Sequence, residues 1–122
     1  MRFMILVKAT PESEAGVIPS AQAFAAMDQY NEALIDAGIM LHSEGLMASS
    51  KGTRLRFDGE GITVTGGPFA ETRELICGFW LIDVKSRDEA LAWCRRIPFE
   101  NGEEIELRQV FEAADFAVNA VA

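Results

Sequence analysis

Two stretches of the chain are apolar without alternation, and they limit its fold more than any other feature. One is Phe3-Met4-Ile5-Leu6-Val7; the other runs from Cys77 to Val84 and holds Phe79, Trp80, Leu81 and Ile82. Successive side chains of a strand point to opposite faces of its sheet, so strands of this kind must be covered on both sides. The sequence therefore has to supply two covering layers for its central strands.

One layer is visible as two amphipathic helices. Ser20 is a suitable N-cap, Phe24, Met27, Leu34 and Ile35 are expected on one helical face, and Gly38 stands where a left-handed C-cap is wanted; a helix is predicted over about Ser20 to Ala37. Residues Thr10 to Pro19, with Pro, Gly, Ser and Glu, read as a loop. Ser86-Arg87-Asp88-Glu89 matches a capping box, with the Ser hydroxyl on the third residue's N–H and Glu reaching back to the cap's own. The helix it opens presents Ala90, Trp93, Cys94 and Ile97 and is stopped by Pro98.

Ile39 to Met47 is predicted as a second strand, with Ile39 and Leu41 on one side and Met40, His42 and Glu44 on the other. Thr53 to Phe57 and Ile62 to Thr65 alternate around Asp58-Gly59-Glu60-Gly61, which reads as a hairpin with Arg54, Arg56, Thr63 and Thr65 on its polar side. Glu104 to Glu112 is the last strand, its Ile105, Leu107, Gln109 and Phe111 opposed to Glu106, Arg108, Val110 and Glu112. The order is strand–helix–strand, an inserted hairpin and loop, then strand–helix–strand. The fold class is thus α+β, a ferredoxin-like βαββαβ unit with both helices on one sheet face. The chain is a single domain over 1–122 with a short tail at 113–122. Packing of the second face against another copy is the economical way to cover it, since a two-fold interface is self-complementary; cover by the tail and hairpin within a monomer is the alternative.

Eleven Lys and Arg against nineteen Asp and Glu give a formal charge of −8, a field that disfavours nucleic acid and anionic membrane surfaces as partners. No apolar run has the length of a membrane span, and the N-terminal stretch is too short for a signal-peptide core, so a cytoplasmic location is expected. Cys77 and Cys94 are isolated and read as small core residues. No phosphate loop, dinucleotide fingerprint or hydrolase signature is present, and no cofactor is implied.

Gly66-Gly67-Pro68-Phe69-Ala70-Glu71-Thr72-Arg73-Glu74 resembles the DGPFAETKE signature of the YCII-related (DGPF-domain) family. The stretches MRFMILVKAT, AGIMLHSEGLMASSKG, GFWLIDVKSRDEALAW and IELRQVFEAADF extend the likeness over most of the chain. The resemblance implies a dimeric α+β barrel built from ferredoxin-like subunits. Some members carry a His and an Asp thought to form an active-site pair, and one relative removes chloride from a chlorinated hydroxyhydroquinone. Aligned through Gly38 and Pro98, this chain has Met27 at the His position and Ile97 at the Asp position, and Gly66 replaces the first carboxylate of the signature. None of the three can move a proton.

His42 is the only histidine and shares a strand side with Glu44, which makes it a candidate general base; a strand histidine at an interface or cleft rim is the plainer account. In the motif loop, Gly67-Pro68 permits a sharp turn and Phe69 can anchor on apolar surface. Arg73 could hold a carboxylate or phenolate with Glu71 as acid or base, or both could form intersubunit ion pairs. Arg108 and Glu106 suggest a polar cleft, and a mutual ion pair explains them equally well. One lone His does not make a metal site. The functional expectation is a homodimer that binds a small organic molecule, aromatic or acidic, in a cleft between sheet and motif loop. The alternative is a non-enzymatic dimeric module that partners a transcriptional regulator such as an extracytoplasmic-function sigma factor.

Overall fold

The computed structural model describes residues 1–71, 74–100 and 102–120, leaving aside the side chains of 118–120. Strands β1 (Arg2–Lys8), β2 (Met40–Gly45), β5 (Ile76–Asp83) and β6 (Ile105–Gln109) form one antiparallel sheet in the order β2-β5-β1-β6. That is the interleaving expected of a ferredoxin-like unit. Strands β3 (Thr53–Asp58) and β4 (Gly61–Gly66) make a separate two-stranded ribbon.

Register settles which side chains go where. Ile5 lies opposite Trp80 and Leu107, and Phe3 opposite Ile82, so these share a face with the helices α2 (Ala21–Asp36) and α3 (Arg87–Cys94). Phe3, Ile5, Leu34 and Ile82 are fully buried there. Tyr30 joins the layers: its ring meets Trp80 edge-on at 5.4 Å, and its hydroxyl donates to the Trp93 carbonyl at 2.9 Å. The Trp80 indole N–H donates to Asn31 Oδ1 at 2.8 Å, so this large ring is buried with its polar atom satisfied. Burial pushes the Tyr30 phenol above its ordinary pKa, which keeps it a hydroxyl donor.

The helix boundaries follow their caps. Ser20 accepts from the Ala23 N–H at 3.1 Å. At the other end Gly38 takes φ +74°, where its N–H reaches the Ile35 carbonyl and the Ile39 N–H the Leu34 carbonyl, the paired bonds of a Schellman ending. The buried face of α2 is Met27, Tyr30 and Leu34. Phe24 is half out, and Ile35, expected on that face, is 61% exposed because one residue turns the helix about 100° from Leu34. On α3 the capping serine behaves as expected, but Glu89 returns its bond to the Lys85 N–H, one residue before the cap.

Three further expectations are corrected. Thr10 to Pro19 is not wholly loop: Thr10 and Ser13 exchange side chain–backbone bonds around the short helix α1 (Pro11–Glu14). In β2 the register shifts between Met40 and His42, so Met40 pairs with Ile82 on the core face and His42 with Leu81 on the other. A bulge at Leu41 absorbs one residue, which reverses the side on which Met40 lies. The last strand ends at Gln109, and residues Ala113–Ala120 form a helix, α4, after Phe111 stacks on Phe116 at 4.8 Å.

The second face of the sheet carries Met4, Leu6, Phe79 and Leu81 along its centre, each half-buried. The ribbon does not cover it, since every residue of β3 and β4 is exposed. Among the described residues no helix is long and apolar enough to cross a membrane. Leu34→Ala is expected to cost about 2–5 kcal/mol through the cavity it leaves, while Ile35→Ala next to it should stay within about 0.5 kcal/mol. Urea denaturation of the two variants checks the assignment of the buried face.

Candidate functional site

The motif loop is built around Ser49. After β2 the chain makes a short 3-10 turn over Ser49–Lys51, and the Ser49 N–H donates to Glu14 Oε2 at 2.8 Å while its hydroxyl donates to the same carboxylate. The Phe69 N–H in turn donates to Ser49 Oγ at 3.0 Å, and the Gly67 N–H to the Gly52 carbonyl at 3.0 Å. A Cβ on Gly67 would stand 1.8 Å from the Ser49 carbonyl oxygen, so only glycine lets the two backbones come this close. The peptide bond from Gly67 to Pro68 is cis. Phe69 lies under the Arg54 guanidinium, 3.8 Å from the ring centre, and so ties the loop to the base of the ribbon. The bonds from Ser49 hold the Glu14 carboxyl below the usual carboxylate range.

Among the described residues, those singled out in the sequence do not converge. His42 Nε2 lies 3.3 Å from Glu44 Oε2 on the open sheet face, with Phe79 beside the ring, and both side chains are mostly exposed. Arg108 sits on β6, three strands away and roughly 14 Å across the sheet. There it donates to Glu106 at 3.0 Å, and Lys8 lies 3.5 Å from the same carboxylate. Arg108 first, then Lys8, keeps the Glu106 carboxyl below its ordinary range. Pro68 and Phe69 belong to the ribbon's base. Glu71 is exposed and its carbonyl accepts from the Glu74 N–H at 3.0 Å. Arg73 and Thr72 lie outside the described residues.

A cleft opens elsewhere, with a volume of about 950 Å³. It lies at the end of β1, between α1, the first turns of α2 and the segment after α3. Val7, Ala23, Ala26, Pro98 and Phe99 give it apolar walls, and Val17 and Ile18 form an exposed lip. Cys77 lines it with a half-buried thiol 3.5 Å from the Lys8 carbonyl, and burial raises the pKa of that thiol, so it stays protonated and a weak nucleophile. Glu12, Glu100 and Glu103 bring three carboxylates against one ammonium, Lys8, which is already held by Glu106. The described part of the motif loop adds no residue to this lining, so the cleft is not the one expected between sheet and motif loop. Met27 and Ile97 flank it in sequence and pack on the core. The signal for this site was the pairing of Thr10 with Ser13, which shapes one wall and looks like ordinary loop composition. Among the described residues, no three His, Cys, Asp or Glu side chains gather to hold a metal ion.

Two outcomes follow from the Ser49 junction. Gly67→Ala should destabilise the protein by roughly 1–3 kcal/mol, as the loop is forced off the turn, and urea melts would register it. The depressed Glu14 carboxyl stabilises the folded state fully above the ordinary carboxylate pKa of 4.5, and that contribution is lost as pH falls below this through the folded value. Glu14→Gln should therefore flatten part of the acid limb of a stability–pH profile, with little further loss on acidification.

The chain is 37% identical over 67 residues to an uncharacterised protein of Rhizobium meliloti (strain 1021), a match that takes in 55% of this chain and 54% of the relative. It thus spans about half the length of that curated relative. Among solved structures it is similar to 5-chloro-2-hydroxyhydroquinone dehydrochlorinase from Burkholderia phenoliruptrix AC1100 in complex with 2,5-dihydroxybenzoquinone, at 17% identity and a TM-score of 0.45, over 93% of this chain and 98% of that one. The model of the YCII-related domain matches residues 1–114, nearly the whole chain, and the protein belongs to that family.

Proposed function

We propose that this YCII-related protein is a homodimer that binds a small organic molecule in the cleft between α1, α2 and the segment after α3. The cleft itself carries the reading: about 950 Å³ falls within the range of about 300–1,000 Å³ typical of small-molecule sites, and its apolar walls with a few polar groups are their usual make-up. Phe99 offers an aromatic surface for a planar ligand. Three carboxylates against one engaged lysine repel an anion, so an uncharged aromatic such as a phenol suits the lining better than an aromatic acid. The described lining holds no histidine, and the family's His and Asp positions are Met27 and Ile97, so the proposal extends to binding and assigns no reaction.

The homodimer rests on the open sheet face. Met4, Leu6, Phe79 and Leu81 form a central apolar stripe, flanked by His42 and Glu44 on one edge and Glu106 and Arg108 on the other. An apolar centre with a charged rim is the anatomy of a protein interface.

Thermal-shift measurements against neutral phenols and the matching aromatic carboxylates test the ligand reading. A phenol at a hundredfold its dissociation constant should add about 2.7 kcal/mol, a rise of several degrees, and the carboxylates should do less. In Ala23→Trp, which fills the cleft from an exposed helix position, the rise should vanish. No rise with any phenol, or a rise that survives Ala23→Trp, would sink the reading. Leu81→Glu should yield a folded monomer by sedimentation.

A further inference from the structure

We infer that the ribbon β3–β4 is a dimer arm, whose apolar face lies on the second copy of the chain and completes the interface begun by the open sheet face. The inference rests on the homodimer proposed above and goes beyond it, since it assigns a surface that the sheet face does not include.

The observation is an apolar side with no intramolecular cover. Leu55 pairs with Val64 and Phe57 with Ile62, and these four side chains are 53%, 62%, 73% and 55% exposed respectively. A two-stranded ribbon is at best marginally stable alone in water, and needs a packed face to persist. Here the polar side, Arg54, Arg56, Thr63 and Thr65, is equally open. The ribbon touches the rest of the chain at its base, through Gly67 on Ser49 and Phe69 under Arg54. Its turn is well specified: Gly59 takes φ +60° before Glu60, as a II′ turn requires. The arm is therefore well formed, and its apolar side faces outward.

Area, reach and charge each point to a second copy as the occupant. A large side chain offers roughly 150–250 Å² when fully exposed. Four half-buried ones on the sheet face supply far less than the roughly 800 Å² that each partner brings to a standard interface. The ribbon adds roughly 400 Å² on the same scale, which makes up much of the deficit. Six residues per strand give an arm about 20 Å long, while sheets packed face to face stand only about 10 Å apart. The arm follows the edge strand β2 in the chain, and its length exceeds that spacing. Finally, Lys51, Arg54 and Arg56 against Asp58 and Glu60 give the segment 51–66 a charge of +1 in a chain of −8. Two copies repel each other through their acidic remainders, and a segment of this charge can approach a partner without adding to that repulsion.

The experiment pairs sedimentation with hydrogen exchange on the full chain. Phe57→Ser/Ile62→Ser removes one cross-strand apolar pair from an exposed face and leaves the four-stranded core untouched, which a thermal melt confirms. The dimer dissociation constant of this variant should rise at least tenfold over wild type. In wild type, the amides of β3 and β4 should be protected at concentrations that populate the dimer and exchange freely on dilution into the monomer, a readout that holds even if the variant ribbon unravels. An unchanged dissociation constant, or ribbon exchange that ignores dilution, overturns the arm and leaves the sheet-face dimer standing with the ribbon free for another protein. A wild type that is monomeric at every concentration overturns both.

Discussion

The fold depends on two adjacent strands with no polar side to turn outward. β1 and β5 lie next to each other at the middle of the sheet, and each presents large apolar side chains in both directions. On one side the problem is solved internally. Tyr30 bridges α2 to α3 through the Trp93 carbonyl and sets its ring against Trp80, so a single residue fixes both helices over the strands that need them. On the other side, Met4, Leu6, Phe79 and Leu81 are only half-buried within one chain. The molecule is thus a finished layer on one face and an unfinished one on the other.

Most of this was legible because it is written in periodicity and caps. Ser20, Gly38 and Ser86 each have a local chemical task at a helix end, and the structure uses them for it. The order of elements and the pairing of Arg54 with Thr65 and Arg56 with Thr63 likewise follow from alternation. What escaped is what alternation cannot carry. The bulge at Leu41 costs one residue of register and moves Met40 to the core side, an event set by tertiary packing against Ile82 and not by any local propensity. The four-residue helix α1 is too short to show a period. Ile35 is apolar yet faces out, since helix geometry and not hydrophobicity decides its direction.

The candidate site was less legible than the fold for a related reason. The motif loop draws attention by its density of glycine, proline and charge, and part of that density serves to hold the loop: Gly67 permits contact with Ser49, and Phe69 pins the ribbon's base. The partners that make sense of it, Glu14 and Ser49, lie 35 positions apart in the chain and carry no common signature. The cleft is assembled from three separated stretches of chain, from Val7 to Ala26, at Cys77 and after Pro98, none of them distinctive by composition, and its acidic rim emerges only when Glu12 and Glu103 are brought to the same place. The YCII-related family thus accommodates, in this member, a cleft whose neighbouring Met27 and Ile97 are apolar.

The way the ribbon is fastened also bears on how such a chain can vary. Its register runs unbroken from Asp58 facing Gly61 at the turn to Thr53 facing Gly66 at the root, and its strands stay exposed along their length. Removing or adding residues in matched pairs near the tip would leave the root, the Ser49 junction and the four-stranded sheet as they are. Changes of one residue per strand would swap the apolar and polar sides beyond that point; changes of two would preserve them. The ribbon is therefore a segment whose length can drift by a parity rule, adjusting what it reaches without re-solving the fold that carries it.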